Sequence, residues 1–138
     1  MLIVRDITPD DLNLVRDSFV HGAKQIEMTL GMDPALMRTI VDKAILYGWK
    51  ATILCDDGCK DEIMAWQISE PGHRRLLWLS RKPRYKGMGL GLKLLEMTMK
   101  PGIVYCAFIN PKEAMLLMEH GYNCRLRPYI ATEVASYE

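Results

Sequence analysis

Apolar positions along the chain fall into two periods, and the switches between them set the order of elements. Residues 2–5, Leu-Ile-Val-Arg, read as a short strand. Thr8-Pro9-Asp10-Asp11 has the composition of a helix start: a capping hydroxyl, a proline at the first helical position and an acid three residues on. Leu12, Val15, Phe19 and Val20 then share one helical face, and Gly22 is a natural stop. A polar connection over residues 23–32 leads to a second helix. It starts at Asp33-Pro34, carries Leu36, Met37, Ile40, Val41 and Ile45, and stops at Tyr47-Gly48. From Trp49 the period becomes that of strands. Residues 50–55 and 62–69, joined by Asp56-Asp57-Gly58, and residues 74–80, after Glu70-Pro71-Gly72, predict an antiparallel meander. Helical spacing returns over 90–99 and closes at Pro101-Gly102, and residues 103–109 read as a buried strand. Asn110-Pro111 opens a last helix over 112–119 that ends at His120-Gly121, and residues 122–137 are long enough for one or two closing strands.

Composition narrows the classes. With 138 residues, 49% hydrophobic and 25% charged, the chain suits one compact domain, residues 1–138, with a real core. A net charge of +1 offers no basic surplus for nucleic acid or an anionic membrane, so any anion site must be local. No apolar run approaches the roughly 20 residues that span a bilayer, and Met1-Leu2-Ile3-Val4-Arg5-Asp6 lacks the order of a signal peptide. A soluble, cytoplasmic protein is expected. Cys55, Cys59, Cys106 and Cys124 lack the spacing of a zinc site and read as free thiols, so no metal is expected.

The strongest local signal runs from Pro83 to Glu96. Gly87, Gly89 and Gly91 alternate at the entrance of an amphipathic helix that follows an apolar strand. Without Cβ atoms, such a turn lets backbone N–H groups converge on an anion that the helix N-terminus also attracts. A ligand carrying phosphate is expected. A dinucleotide fingerprint would need a third glycine where Leu92 or Leu94 stands, and a triphosphate loop would need Gly-Lys-Ser/Thr.

The order of a strand, two helices, three meandering strands, a glycine turn and then helix, strand, helix and strand resembles the GNAT superfamily of N-acetyltransferases over essentially the whole chain. Pro83, Tyr85, Lys86, Gly89 and Gly91, with Leu94-Leu95, take the places of that family's cofactor motif, lysine standing for the usual Arg or Gln. A register that uses Arg84, Gly87 and Gly89 restores the arginine but displaces the proline, the aromatic and the leucine pair. Residues 103–109, Asn110-Pro111, Leu116 and Gly121-Tyr122 are similar to the family's second cofactor segment. The resemblance implies a mixed α/β (α+β) fold: a mostly antiparallel sheet of six to seven strands, splayed between the fourth and fifth, with about four flanking helices.

It also implies acetyl-CoA as co-substrate. The amides of Lys86, Gly87, Met88, Gly89, Leu90, Gly91 and Leu92 would surround its pyrophosphate. The backbone around Leu79, Ser80 and Arg81 would pair with the pantetheine arm, which passes Asn110. Lys82, Arg84 and Lys93 are further candidates for the phosphates. The family's usual tyrosine acid falls at Leu117, seven residues after Asn110, and the middle of the fourth strand, Arg74-Arg75-Leu76-Leu77, carries no carboxylate. Glu70, His73, Tyr105, Cys106, His120 and Tyr122 are substitutes on paper, with none assigned. An amine acceptor, a small molecule or a protein, would bind between residues 23–32 and the C-terminal strands, near Glu27, Asp33 or the acidic tail. Two readings follow: an N-acetyltransferase acting by direct attack of an amine on the thioester, or a non-catalytic GNAT-fold protein that binds CoA or serves assembly, for example of phage type. Exposed edges of the last strands are candidates for pairing two copies.

Overall fold

In a computed structural model, the described residues are 1–25 and 33–138, the side chains of 23–25 excepted. Six strands form one sheet in the order β1 (Leu2–Asp6), β2 (Lys50–Asp56), β3 (Cys59–Glu70), β4 (Arg75–Arg81), β5 (Gly102–Cys106), β6 (Tyr122–Leu126). Strands β1 to β4 pair with one another antiparallel; β5 runs parallel to β4, and β6 parallel to β5. Helices α1 (Leu12–Gln25), α2 (Pro34–Leu46) and α5 (Tyr129–Ala135) cover one face, with a core that includes Phe19, Ile40, Trp78, Phe108 and Ile130. Helices α3 (Leu90–Thr98) and α4 (Pro111–Glu119) cover the other over Leu94, Leu95, Leu117 and Tyr122. The mixed, splayed sheet matches the expected class.

Local chemistry explains most boundaries. Pro9 opens a 3-10 turn (Pro9–Asp11) that leads into α1, and Asp11 reaches back to accept from the Thr8 N–H at 2.8 Å and the Thr8 hydroxyl at 2.9 Å. Asp33 caps α2 through the Leu36 N–H at 2.8 Å. On the sheet side, the indole N–H groups of Trp66 and Trp78 both donate to Ser18 Oγ, at 2.6 and 3.1 Å, and pin α1 to β3 and β4.

Three expectations need correction. Helix α1 does not stop at Gly22 but continues to Gln25, so the polar connection begins inside a helix; the rest of it, with Glu27, lies outside the described residues. Gly22 is there for space: a Cβ would collide with the Trp78 ring where α1 crosses β4. The chain after β6 forms a helix rather than another strand. Ile130, Ala131 and Val134 fall on one helical face and bury against α2, and Pro128 at the N-cap turns the chain. Among the described residues the α-helices number five, one more than the about four expected. The strand expected over 103–109 ends at Cys106, because β4 diverges just beyond it: Ala107 keeps one bond to Leu76, and residues 108–109 lose the ladder while remaining buried. All four cysteines are free thiols, and Cys55 and Cys59 pair with Ile63 and Asp56 rather than with each other. Among the described residues no helix is long and apolar enough to cross a membrane.

Candidate functional site

The β4–β5 pairing covers only Arg75 with Tyr105 and Leu76 with Cys106, extended by the Ala107 N–H to Leu76 O at 2.9 Å. At that point β4 carries an extra residue. Leu76 faces Ser69 and Trp78 faces Ile68, so Leu77 is a bulge, and Leu77 and Trp78 both enter the same core although they are consecutive. Beyond it Leu79, Ser80 and Arg81 keep Gln67, Trp66 and Ala65 on one side. On the other side the sheet has parted, leaving half of the backbone N–H and C=O groups of this stretch without a ladder. A cleft of about 1020 Å³ opens there, bounded by β4, the glycine turn, and the first turns of α3 and α4.

The glycine turn supplies donors by elimination. Pro83–Tyr85 forms a 3-10 turn that uses the Lys86 N–H on Pro83 O at 3.1 Å and the Met88 N–H on Tyr85 O at 3.2 Å. Those two amides, expected to face an anion, are therefore committed elsewhere. Gly87 and Gly89 have φ values of +82° and +68°, a region that excludes most side chains, and nothing stands where their Cβ atoms would be. The first bond that carries α3 runs from the Lys93 N–H to Gly89 O at 3.0 Å, so the amides of Leu90, Gly91 and Leu92 precede the helical ladder.

Of the residues predicted to hold cofactor, Leu79, Ser80, Arg81, Lys86, Gly87, Gly89, Leu90, Gly91 and Asn110 line this one cleft. Two do not. The Met88 side chain is exposed and that of Leu92 is buried in the α3–α4 core. Asn110 caps α4, its Oδ1 accepting from the Lys112 N–H at 2.9 Å. Arg84 is engaged away from the cleft by the Glu62 carboxylate and the Tyr85 hydroxyl, which favours the register that places Lys86 in the motif. Tyr85 also donates to Glu62 at 2.6 Å, and this bond, the largest influence on that carboxyl, lowers its pKa.

None of the substitute acids and bases lines the cleft. Glu70 accepts from Arg75 Nε at 2.8 Å and contacts His73 Nδ1 at 2.9 Å. His73 and Tyr105 line a separate depression of about 470 Å³ with Arg75, Tyr129 and Glu133. Cys106 is fully buried, and its contact with the Cys124 thiol, with burial, pushes its own thiol far above the ordinary range. Tyr122 is buried, donates to Met99 O at 2.7 Å and has its pKa raised by burial. His120 sits at the exposed C-cap of α4, with Nδ1 3.0 Å from Leu116 O. In the second turn of α4 it is Leu116 that reaches the cleft; Leu117, at the spacing of the family's tyrosine, is wholly enclosed in the core.

Sequence reasoning passed over Lys112 and Glu113, which also line the cleft. Glu113 is the one carboxyl among the described lining residues, facing a cation set of Arg81, Lys86 and Lys112. Its Oε1 is buried without a hydrogen-bond partner and packs on Gly91, where a Cβ would strike it. Burial raises its pKa, and the charge of Arg81 opposes this. The pattern Asn110-x-x-Glu113 was the available signal, since an acid at this position normally bonds back to the cap.

No family model matches the chain, and no curated protein matches it in sequence. Its structure is similar to that of a "possible acetyltransferase" from Clostridium difficile 630, with a TM-score of 0.61 and 15% identity over 92% of this chain and 94% of that one. It is also similar to a Trypanosoma brucei acetyltransferase, with a TM-score of 0.53 and 17% identity over 92% of this chain and 96% of the other. The splayed sheet, the bulge in β4 and the glycine turn into α3 thus belong to a chain that has the fold of these two acetyltransferases.

Proposed function

We propose that the chain binds acetyl-CoA in the cleft between β4 and β5 and transfers the acetyl group to an amine. One observation carries this reading. The parted sheet edge, the uncommitted amides of Leu90 and Gly91 and three cationic side chains converge on a single cavity. The donor set fits the cofactor: amides at a helix N-terminus suit a pyrophosphate, and Lys86, Arg81 and Lys112 add charge. The free edge at Leu79 to Arg81 suits an amide-bearing arm laid alongside as an added strand. Bound acetyl-CoA would supply an activated thioester. This chain's residues then orient it, and backbone N–H groups near the Leu77 bulge stabilise developing oxyanion charge.

In this reading Leu116 and Leu117 of α4 offer the thiolate no acid and Glu113 lies at the phosphate end against Gly91, so the amine arrives neutral and the leaving thiolate takes its proton from water. Isothermal titration with acetyl-CoA and CoA, followed by thioester loss against an amine panel, is expected to give binding and turnover; absence of binding by both ligands would sink the proposal. Leu116→Tyr puts a hydroxyl on the cleft wall. Where thiolate protonation limits the rate, it is expected to raise kcat about tenfold or more with KM little changed. Leu117→Tyr instead overpacks the core, at a cost of about 1–3 kcal/mol, and brings no gain in rate.

The second reading, a GNAT-fold module that binds CoA without transfer, draws on a different observation: Leu117 is enclosed in the core, and none of Glu70, His73, Tyr105, Cys106, His120 and Tyr122 lines the cleft. Binding without turnover on the amine panel is the result that favours it.

A further inference from the structure

The cradle contains a carboxyl that the ligand's phosphates would oppose. Glu113 sits in the first turn of α4, where an acid ordinarily accepts from the N-cap amide. Here it turns away, and its Oε1 lies against Gly91 in the first turn of α3, buried and without a partner. Arg81 from β4 acts on its charge, Lys86 from the glycine turn and Lys112 from its own helix line the same cleft, and the Cys124 thiol of β6 feels its charge. Burial disfavours the charged form and the charge of Arg81 favours it; burial dominates.

We propose that Glu113 is an internal gate on the phosphate end of the cleft: as a carboxylate it competes with an anionic ligand for the α3 N-terminus, and it admits that ligand by taking up a proton from solvent. The inference rests on the cofactor reading above. Binding of a pyrophosphate then becomes proton-linked. Affinity falls as pH rises through the Glu113 pKa, by at most about tenfold per pH unit for one proton. The ligand's own phosphate titration is common to wild type and variants and cancels in their comparison.

The test is titration of CoA into wild type, Glu113→Gln and Glu113→Ala at about pH 5.5 and about pH 8, each in two buffers of different ionisation enthalpy. Expected is a wild-type affinity that drops about tenfold more than that of Glu113→Gln across this range, with wild type taking up close to one extra proton on binding. At the higher pH both variants bind more tightly than wild type. Glu113→Ala removes the packing on Gly91 as well as the charge, so agreement between the two variants assigns the effect to charge. Equal affinity and equal proton uptake in wild type and Glu113→Gln would overturn the gate while leaving the cofactor reading intact. Failure of all three proteins to bind CoA at either pH would remove both.

Discussion

Gly89→Glu is expected to abolish CoA and acetyl-CoA binding while the protein stays folded. Gly89 is the N-cap of α3 at φ +68°, with open space on its Cβ side. A side chain there projects from the turn rather than into a core. The backbone penalty for leaving glycine in this region is about 1–2 kcal/mol. The electrostatic penalty is larger. A carboxylate about 4 Å from one phosphate charge costs about 4 kcal/mol at the effective dielectric of a protein surface, close to a thousandfold in affinity. Gly89→Ala separates the two effects, because it carries the strain without the charge. It is expected to lower the melting temperature as much as Gly89→Glu does, yet keep CoA affinity within about tenfold. Calorimetric titration and thermal unfolding of the pair check this. Wild-type affinity in Gly89→Glu would show that no phosphate sits at the turn.

The glycine turn was legible because its physics is local. Backbone freedom at Gly87 and Gly89 and a helix start at Leu90 follow from adjacent residues, and the structure turns there with positive φ at both. Which amides remain free was not legible: the commitment of Lys86 and Met88 depends on the 3-10 turn that Pro83 sets. The meander and the order of helices were readable from periodicity, since each buries one face. The stop at Gly22 was misread because a glycine that ends a helix and a glycine that admits a tryptophan ring look alike until β4 is placed beneath it. The tail was misread for a similar reason. Ile130 and Val134 keep helical spacing, but only α2 behind them makes that face worth burying. At α4 the register of one residue separates Leu116 in the cleft from Leu117 in the core, and a motif spacing carried from other chains does not resolve that step. Glu113 was hidden by its own plausibility as a cap; only the turn of its side chain toward Gly91 distinguishes it.

Asp11→Asn is expected to do the reverse of Gly89→Glu, lowering stability while leaving CoA affinity unchanged. Asp11 is buried and accepts from Arg5 Nη1 at 2.7 Å and Nη2 at 3.1 Å, and also from the N–H and hydroxyl of Thr8. The Arg5 hydrogen bond is the largest influence, and the set lowers its pKa from 3.8 to about 2. A depressed carboxyl contributes stability that is fully present above its unfolded pKa and lost as pH falls through the folded value. A shift of this size corresponds to about 2 kcal/mol. Urea unfolding at neutral pH should show Asp11→Asn less stable by about 2–3 kcal/mol, the excess reflecting Arg5 left without its counter-charge. Between about pH 4 and pH 2 the gap should close, because wild type then loses the same charge. The junction of β1 and α1 that Asp11 ties lies away from the glycine turn, so the two substitutions separate the energy that holds α1 on the sheet from the energy that holds an anion at α3. A fall in CoA affinity with Asp11→Asn would mean that α1, through Ser18, Phe19 and Gly22 on Trp78, shapes the cleft more than its lining suggests.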